Sequence, residues 1–409
     1  MLDSTSPQAL HKLQNLGLIC LSLAFLPINT YVVLASWVYT RLFGSHTDVD
    51  RRRSRNQSGF QQRTILVTGV GMTKGLALAR LFYLAGYRVI GADFESNGTY
   101  CPGRYSRAIA VFRQLQKPSA RHGSSKYVQG LLDVVLKENV DLWVSCSGVA
   151  SAVEDAEARE IIEARTACRA IQFGVEATQT LHEKHTFIAS VKKIGLRVPD
   201  THTITSPTAV KSVLRDAPPG SKYIMKTIGM VDAVRADMTL LPKSTPQDTS
   251  SHIARLPISE DVPWILQQYI KGSEYCTHSL VIDGEVKAFL ACPSAELLMH
   301  YRALAADSGL SQAMLEFTEA VARSWGKGFT GHLSFDFMVP DPEIGLELEK
   351  VPKDRIELYP IECNPRAHTA VALFSGTNRM AEAYLQAVQH TDNLGDVVTP
   401  LEKGKYRRW

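Results

Sequence analysis

The sequence predicts an α/β protein, and three observations carry that prediction. Thr64-Ile-Leu-Val-Thr-Gly69 is a buried-strand run. It passes through a glycine turn, Gly69-Val-Gly-Met-Thr-Lys-Gly75, into helical sequence at residues 76–85 and a second strand at residues 87–93. Such a strand–helix–strand opening predicts a parallel sheet. Further on, Gly331-His-Leu-Ser-Phe-Asp-Phe337 and Ile361-Glu-Cys-Asn-Pro-Arg366 read as neighbouring strands with polar residues in one phase and apolar residues in the other. Ahead of both stands a nearly uninterrupted apolar run at residues 16–39, which predicts a membrane helix before the α/β body.

Taken in order, the apolar run would reach about 36 Å as a helix, enough for a bilayer core. Trp37, Tyr39 and Arg41 make a suitable interfacial end, and the basic run Arg51-Arg-Arg-Ser-Arg55 follows. By the positive-inside rule the residues after about 41 then lie in the cytosol, which predicts a membrane-anchored chain with its α/β body in the cytosol. Pro27 and Asn29 interrupt the run and leave two alternatives open, a bent helix lying in one leaflet and a buried soluble helix. Residues 42–62 read as a basic tether.

The glycine turn and the strand ending in Asp93 resemble a Rossmann unit, with Asp93 where a ribose-binding acid sits. No tyrosine has a lysine four residues on, so the pattern of a hydride-transfer site is missing and the glycines read as a tight turn in a substrate-side domain. A helix over residues 127–139 and a strand over 140–145 follow. They lead to the small-residue loop Ser145-Cys-Ser-Gly-Val-Ala-Ser151, at a strand end where open α/β sheets bind ligands. Residues 152–195 read as mostly helical. Short strands are expected at residues 223–228 and 264–270, and Asp283-Gly284 marks a hairpin between strands at 276–282 and 285–291. A helix over residues 311–326, a surface hairpin loop at 341–355 and a closing helix at 379–389 complete the body. The tail from residue 392 reads as polar and loosely ordered.

The two polar-phase strands carry the chemistry. Residues i and i+2 of a strand face the same way, so Glu362 and Asn364 point together and Arg366 follows. With Asp336 they offer two carboxylates and an amide, a set that suits magnesium, a hard cation that often also holds substrate phosphates. Arg366 adds a planar cation for an anionic oxygen. Two amphipathic strands with merely polar faces are the plain alternative. The net charge of +4 owes much to one local arginine run and does not argue for nucleic-acid binding. The 7 cysteines are scattered and form no C-x-x-C pair, which argues against a disulfide framework or zinc site.

In this order the pieces resemble an ATP-grasp ligase over residues 63–390: a Rossmann-like front domain, a helix lysine, a strand lysine, a strand ending in Gly-x-Glu and two metal-bearing strands. The runs Trp264-Ile-Leu-Gln-Gln-Tyr-Ile270, Cys276-Thr-His-Ser279 and Ile361-Glu-Cys-Asn-Pro-Arg366 are similar to those of mycosporine-glycine synthase-type enzymes and related fungal secondary-metabolite ligases. The resemblance implies the domain plan 1–41 membrane segment, 42–62 tether, 63–165 pre-ATP-grasp domain, 166–390 ATP-grasp domain and 391–409 tail. It implies ATP and magnesium or manganese as cofactors. It also implies a reaction joining a small acid, or an enol or ketone oxygen, to an amine such as glycine or serine, with release of ADP.

Carried over residue by residue, Lys184 and Lys226 would contact nucleotide phosphates. Gln267, Gln268, Tyr269 and Ile270 would line the adenine, and Glu274 would take the ribose hydroxyls. Asp336, Glu362 and Asn364 would hold metal, with Arg366 and Lys226 as the catalytic residues. His278 and Arg302 are further candidates, with a plain surface role as the alternative for each. The family's glycine-rich flap is replaced by residues 227–237, which contain one glycine. Arg235 stands in as the implied phosphate contact. A non-catalytic ATP-binding scaffold and a nucleotide-dependent reductase are the competing functions. Oligomeric state is not legible.

Overall fold

The computed structural model describes residues 8–43, 46–95, 99–118, 123–148, 151–227, 237–294, 301–341, 348–374, 378–389, 395–401 and 406–407. The chain divides into two compact units, Met1–Phe60 and Gln61–Trp409. The first holds α1 (Gln8–Phe43) and α2 (His46–Arg55), so part of the basic tether is itself helical. Pro27 lies inside α1 without ending it. The apolar side chains of α1 are exposed along the helix, among them Leu23, Val33 and Leu42. Among the described residues it is the one helix long and apolar enough to cross a membrane, over Lys12–Leu42.

The second unit opens with the expected parallel sheet. β1 (Thr64–Thr68), α3 (Thr73–Leu84), β2 (Arg88–Phe94), β3 (Val111–Leu115), α4 (Ser125–Glu138), β4 (Leu142–Val144), α5 (Ala152–Arg165) and β5 (Arg169–Ile171) form it, in the order β3-β2-β1-β4-β5. Two of these strands correct the sequence reading. β3 escaped it, and β5 interrupts the stretch 152–195 that read as mostly helical. Each is too short for a period-2 pattern to stand out, and each is a strand because a parallel neighbour pairs with it. Gly69 has φ +71°, and a Cβ on Gly75 would lie 2.2 Å from the Gly69 carbonyl oxygen. The turn therefore needs both glycines, one for its backbone and one for the close approach of α3.

Next come α6 (Val175–His182), α7 (Lys184–Lys193), β6 (Thr201–Ile204), α8 (Pro207–Asp216), β7 (Tyr223–Thr227), α9 (Pro246–Ile253) and β8 (Trp264–Gln268). The three strands form an antiparallel sheet in the order β6-β8-β7. β9 (Gly272–Ile282) and β10 (Glu285–Pro293) make the predicted hairpin, with Asp283 and Gly284 both at positive φ. β11 (Tyr301–Arg302), α10 (Gly309–Trp325), β12 (Gly331–Pro340), β13 (Tyr359–Asn364), α11 (Arg379–Gln389) and β14 (Tyr406–Arg407) follow. The sheet that carries the polar-phase strands has the order β10-β9-β12-β13.

Its core is aromatic. Phe335 is fully buried, stacks on Phe187 at 5.7 Å and meets Phe317 edge-on at 5.2 Å. The alternate residues Ser334 and Asp336 are thereby turned to the other face.

The 341–355 insert joins β12 to its antiparallel neighbour β13, as the expected hairpin loop does, and its described part holds two 3-10 turns, Leu348–Lys350 and Lys353–Arg355. Lys353 pairs with Glu316 on α10. One further reading needs correction. The tail is not loose where it is described. Val398 exchanges backbone hydrogen bonds with Lys287 and Phe289 of β10, and β14 pairs with β11. Polar composition concealed this because strand pairing at an edge uses the backbone and not the side chains.

Of the cysteines, Cys20 on α1 is exposed and the other six are buried.

Candidate active site

β12 and β13 lie antiparallel with Asp336 opposite Glu362 and Ser334 opposite Asn364. A bulge follows Asp336, where the pairing slips so that Phe337 faces Pro360. Bulges of this kind re-aim side chains beside functional sites. Asn364 Nδ2 donates to Asp336 Oδ2 at 3.1 Å, and Arg366 Nη2 donates to Asn364 Oδ1 at 2.7 Å. Arg366 Nε is buried without a hydrogen-bond partner. Burial holds the Asp336 carboxyl at about 7, helped by the Glu362 and Glu274 carboxylates nearby.

The lysines converge here from two other elements. Lys184 begins α7 and forms an ion pair with Glu362 Oε2 at 2.8 Å. Lys226, on β7, donates to Gln267 Oε1 at 2.7 Å. Burial, and the Lys184 charge beside it, lower its ammonium to about 8. Two cations held near each other, with part of their charge uncompensated, make a place for an anion.

Gln267, Gln268, Tyr269 and Ile270 run off the end of β8 toward β9. The backbone N–H groups of Gln268 and Tyr269 donate to the Asp200 and Lys222 carbonyls. The Gln267 amide is shared between Lys226 and Thr201. Ile270 is buried, and Tyr269 is partly exposed. Glu274, exposed at the start of β9, accepts from Ser294 Oγ at 2.8 Å. Arg235 lies outside the described residues.

His278 is not a surface residue. It is fully buried, accepts at Nδ1 from the His368 N–H at 3.2 Å, and lies 5.5 Å ring to ring from His332. Arg302 is exposed on β11.

The fold also brings in residues that the motifs did not mark. Lys74, at the start of α3, is buried. Its ammonium donates to the carbonyls of Ala367 at 2.9 Å and Ser147 at 3.3 Å. One side chain thus joins the front glycine turn, the loop after β4 and the residue after Arg366. Burial lowers it to about 8. Its only sequence signal was its place in the glycine turn, since its partners are carbonyls that any residue supplies.

Asp155, fully buried on α5, accepts from the Tyr127 hydroxyl and from Ser145 Oγ. Burial raises its carboxyl from 3.8 to about 6. The folded protein therefore holds this proton more tightly than the unfolded chain does. The stability that this group contributes is full below about pH 4, is lost as pH rises to about 6 and is absent above it. Asp155→Asn is expected to remove that loss, on the order of 2–3 kcal/mol. Urea unfolding of both proteins at about pH 4 and about pH 7 checks it. The variant should gain on the wild type between the two, and a constant difference refutes the assignment.

Among the described residues no three of His, Cys, Asp or Glu are grouped to hold a metal. The donors at hand are Asp336, Glu362 and the Asn364 amide. They fit a hard divalent cation by the chemistry of the donor set: the Asp336 and Glu362 carboxylates stand opposite each other across the β12–β13 pair, and a cation beside them relieves their repulsion.

No protein-family model and no curated protein matches the sequence. Solved structures do match. N5-carboxyaminoimidazole synthetase from Staphylococcus aureus aligns at a TM-score of 0.53 and 15% identity, over 80% of this chain and 77% of that one. The same enzyme complexed with ADP aligns at 0.52. Phosphoribosylglycinamide synthetase from Anaerococcus prevotii aligns at 0.55 and 13% identity, over 80% and 75% of the two chains. L-amino acid ligase from Bacillus licheniformis aligns at 0.50 and 13% identity, over 81% and 75%. These are ATP-grasp ligases, and at such identities the likeness speaks for architecture alone: the chain has the ATP-grasp fold.

Proposed function

We propose that this protein is an ADP-forming carbon–nitrogen ligase that phosphorylates a carboxylate, enol or ketone oxygen and joins it to an amine, in secondary metabolism. The observation that carries the reading is the convergence of Lys184, Lys226, Asp336, Glu362, Asn364 and Arg366 from α7, β7, β12, β13 and the turn after β13.

Lys184 and Lys226 bind the nucleotide phosphates, their compact ammonium groups suiting phosphate oxygens. Residues 267–270 bound the adenine through Ile270 and backbone carbonyls, and Glu274 accepts from the ribose hydroxyls. Asp336, Glu362 and Asn364 would hold magnesium or manganese once the Asn364 amide, whose Nδ2 faces Asp336 here, turns its oxygen toward the metal. The metal, when bound, neutralises phosphate charge and supplies Lewis acidity. Arg366 orients the acceptor oxygen, and its unpartnered Nε is a donor in reserve for that oxygen. The acceptor oxygen takes the γ-phosphoryl group and ADP leaves. The amine nitrogen then displaces phosphate and gives up a proton to the medium.

Residues 63–165 form the acceptor-side domain and 166–390 the ATP-grasp domain. α1 anchors the chain to a membrane with the catalytic unit in the cytosol, a reading supported by its length and by its exposed apolar surface.

The test is ADP release by the full chain in detergent, with magnesium, ATP, pooled amino acids and a cyclohexenone or carboxylic acid. ADP appearing only with an acceptor–amine pair is the expected result. ATP binding with no release in any pool counts against the reaction and favours a scaffold.

A further inference from the structure

The charge of the chain is unevenly placed. The unit Met1–Phe60 holds six basic and three acidic residues, a net +3 out of the +4 of the whole chain, so the α/β unit is left near neutrality. Four of the six basic residues, Arg51, Arg52, Arg53 and Arg55, lie on α2. α2 starts at His46 and α1 ends at Phe43, so at most about 11 Å of chain separates the two helices. Trp37 and Arg41 mark the end of α1, with the Arg41 guanidinium 5.6 Å from the centre of the Trp37 ring. An aromatic ring and a long cationic side chain at a helix end suit the headgroup level of a bilayer. The basic helix therefore begins about one Debye length from that level.

α2 has one face to offer. Residues three and four apart share a helix face, which sets Arg52 and Arg53 beside Val49. Val49 is 65% exposed, and both arginines are exposed. Ser54 points the other way. It is buried, and its hydroxyl donates to the Asp50 carbonyl at 3.1 Å. Arginines in a last turn also complement the helix dipole, but the dipole asks only for a place near the C-terminal end, not for the face of Val49. An apolar side chain flanked by two arginines suits the boundary where headgroups meet acyl chains. A helix of ten residues is marginal in water by itself, so a surface that holds α2 changes its stability measurably.

We propose that this face of α2 lies on an anionic bilayer surface, with Arg52 and Arg53 against lipid phosphates and carboxylates and Val49 toward the acyl chains. Each arginine beside an anionic leaflet favours contact about fivefold, and the pair favours it on the order of 25-fold. That the surface is the cytosolic leaflet, the one rich in acidic lipids, rests on the anchoring by α1 proposed above.

The experiment is amide hydrogen exchange, read by mass spectrometry, on the full chain in nanodiscs of phosphatidylcholine alone and of phosphatidylcholine mixed with phosphatidylserine. The amides of α2 should exchange at least about fivefold more slowly in the mixed discs at about 0.1 M salt, and the difference should vanish at about 1 M. Arg52→Gln combined with Arg53→Gln, which keeps good helix formers at both positions, should bring the two kinds of disc to within about twofold. Equal exchange in both discs, a difference that salt leaves unchanged, or one that survives the double substitution overturns the proposal. Soluble polyglutamate that slows exchange as much as the mixed discs do assigns the face to an acidic polypeptide and overturns it as well. Entry into the neutral discs separates the two readings. A chain that enters them and shows no effect of composition keeps its anchor and loses this inference. A chain that stays out of them, yet binds phosphatidylserine vesicles through Arg52 and Arg53, loses the anchor and keeps the lipid surface.

Discussion

Glu362→Gln is expected to lower ATP-dependent ADP release by at least about 100-fold, the scale on which single preorganised electrostatic contacts act in active sites. The change keeps the shape of the side chain and removes its charge. Glu362 stands opposite Asp336 across the β12–β13 pair and forms an ion pair with Lys184 at 2.8 Å. Losing the charge removes one of the two carboxylates offered to the metal and the partner that fixes Lys184. The pair is partly exposed, so its contribution to stability is small and the fold should survive. Initial rates of ADP release, set beside thermal melting of both proteins, check the prediction. A variant that turns over like wild type removes Glu362 from the metal set.

Phe335→Ala is expected to destabilise the protein by about 3–5 kcal/mol. Phe335 has no exposed surface and packs between Phe187 of α7 and Phe317 of α10. Its removal opens a cavity that two helices and a sheet would have to collapse to fill, and close packing resists such collapse. The effect reaches the site as well. α7 begins with Lys184, and β12 carries Asp336 one residue after Phe335. Urea denaturation should show a lower midpoint with an unchanged slope. A midpoint near that of wild type would mean that the core tolerates the void.

The parts legible in the sequence were those with local pattern. Alternation exposed β12 and β13 because Leu333, Phe335 and Phe337 keep one phase while Ser334 and Asp336 keep the other. Asp283-Gly284 announced the hairpin because few other residues accept positive φ at both positions. The illegible parts depend on partners distant in sequence. β3 and β5 are strands through the neighbours they pair with. Lys74 matters because the fold brings it to Ala367, and nothing near residue 74 encodes that meeting. His278 read as a plausible surface residue, since a histidine inside a strand is polar by composition, and its burial comes from His332, Phe374 and the His368 backbone, none of them near it in sequence. Asp155 gave no signal because a carboxylate in the first turn of a helix is an ordinary surface pattern.

The distribution of cysteines has a practical consequence. With six thiols buried and Cys20 exposed on α1, a maleimide dye added before the chain meets a membrane should label a single position in the apolar helix. An emission that reports local polarity at that position would read how deep the helix sits in a vesicle, without a substitution anywhere in the protein.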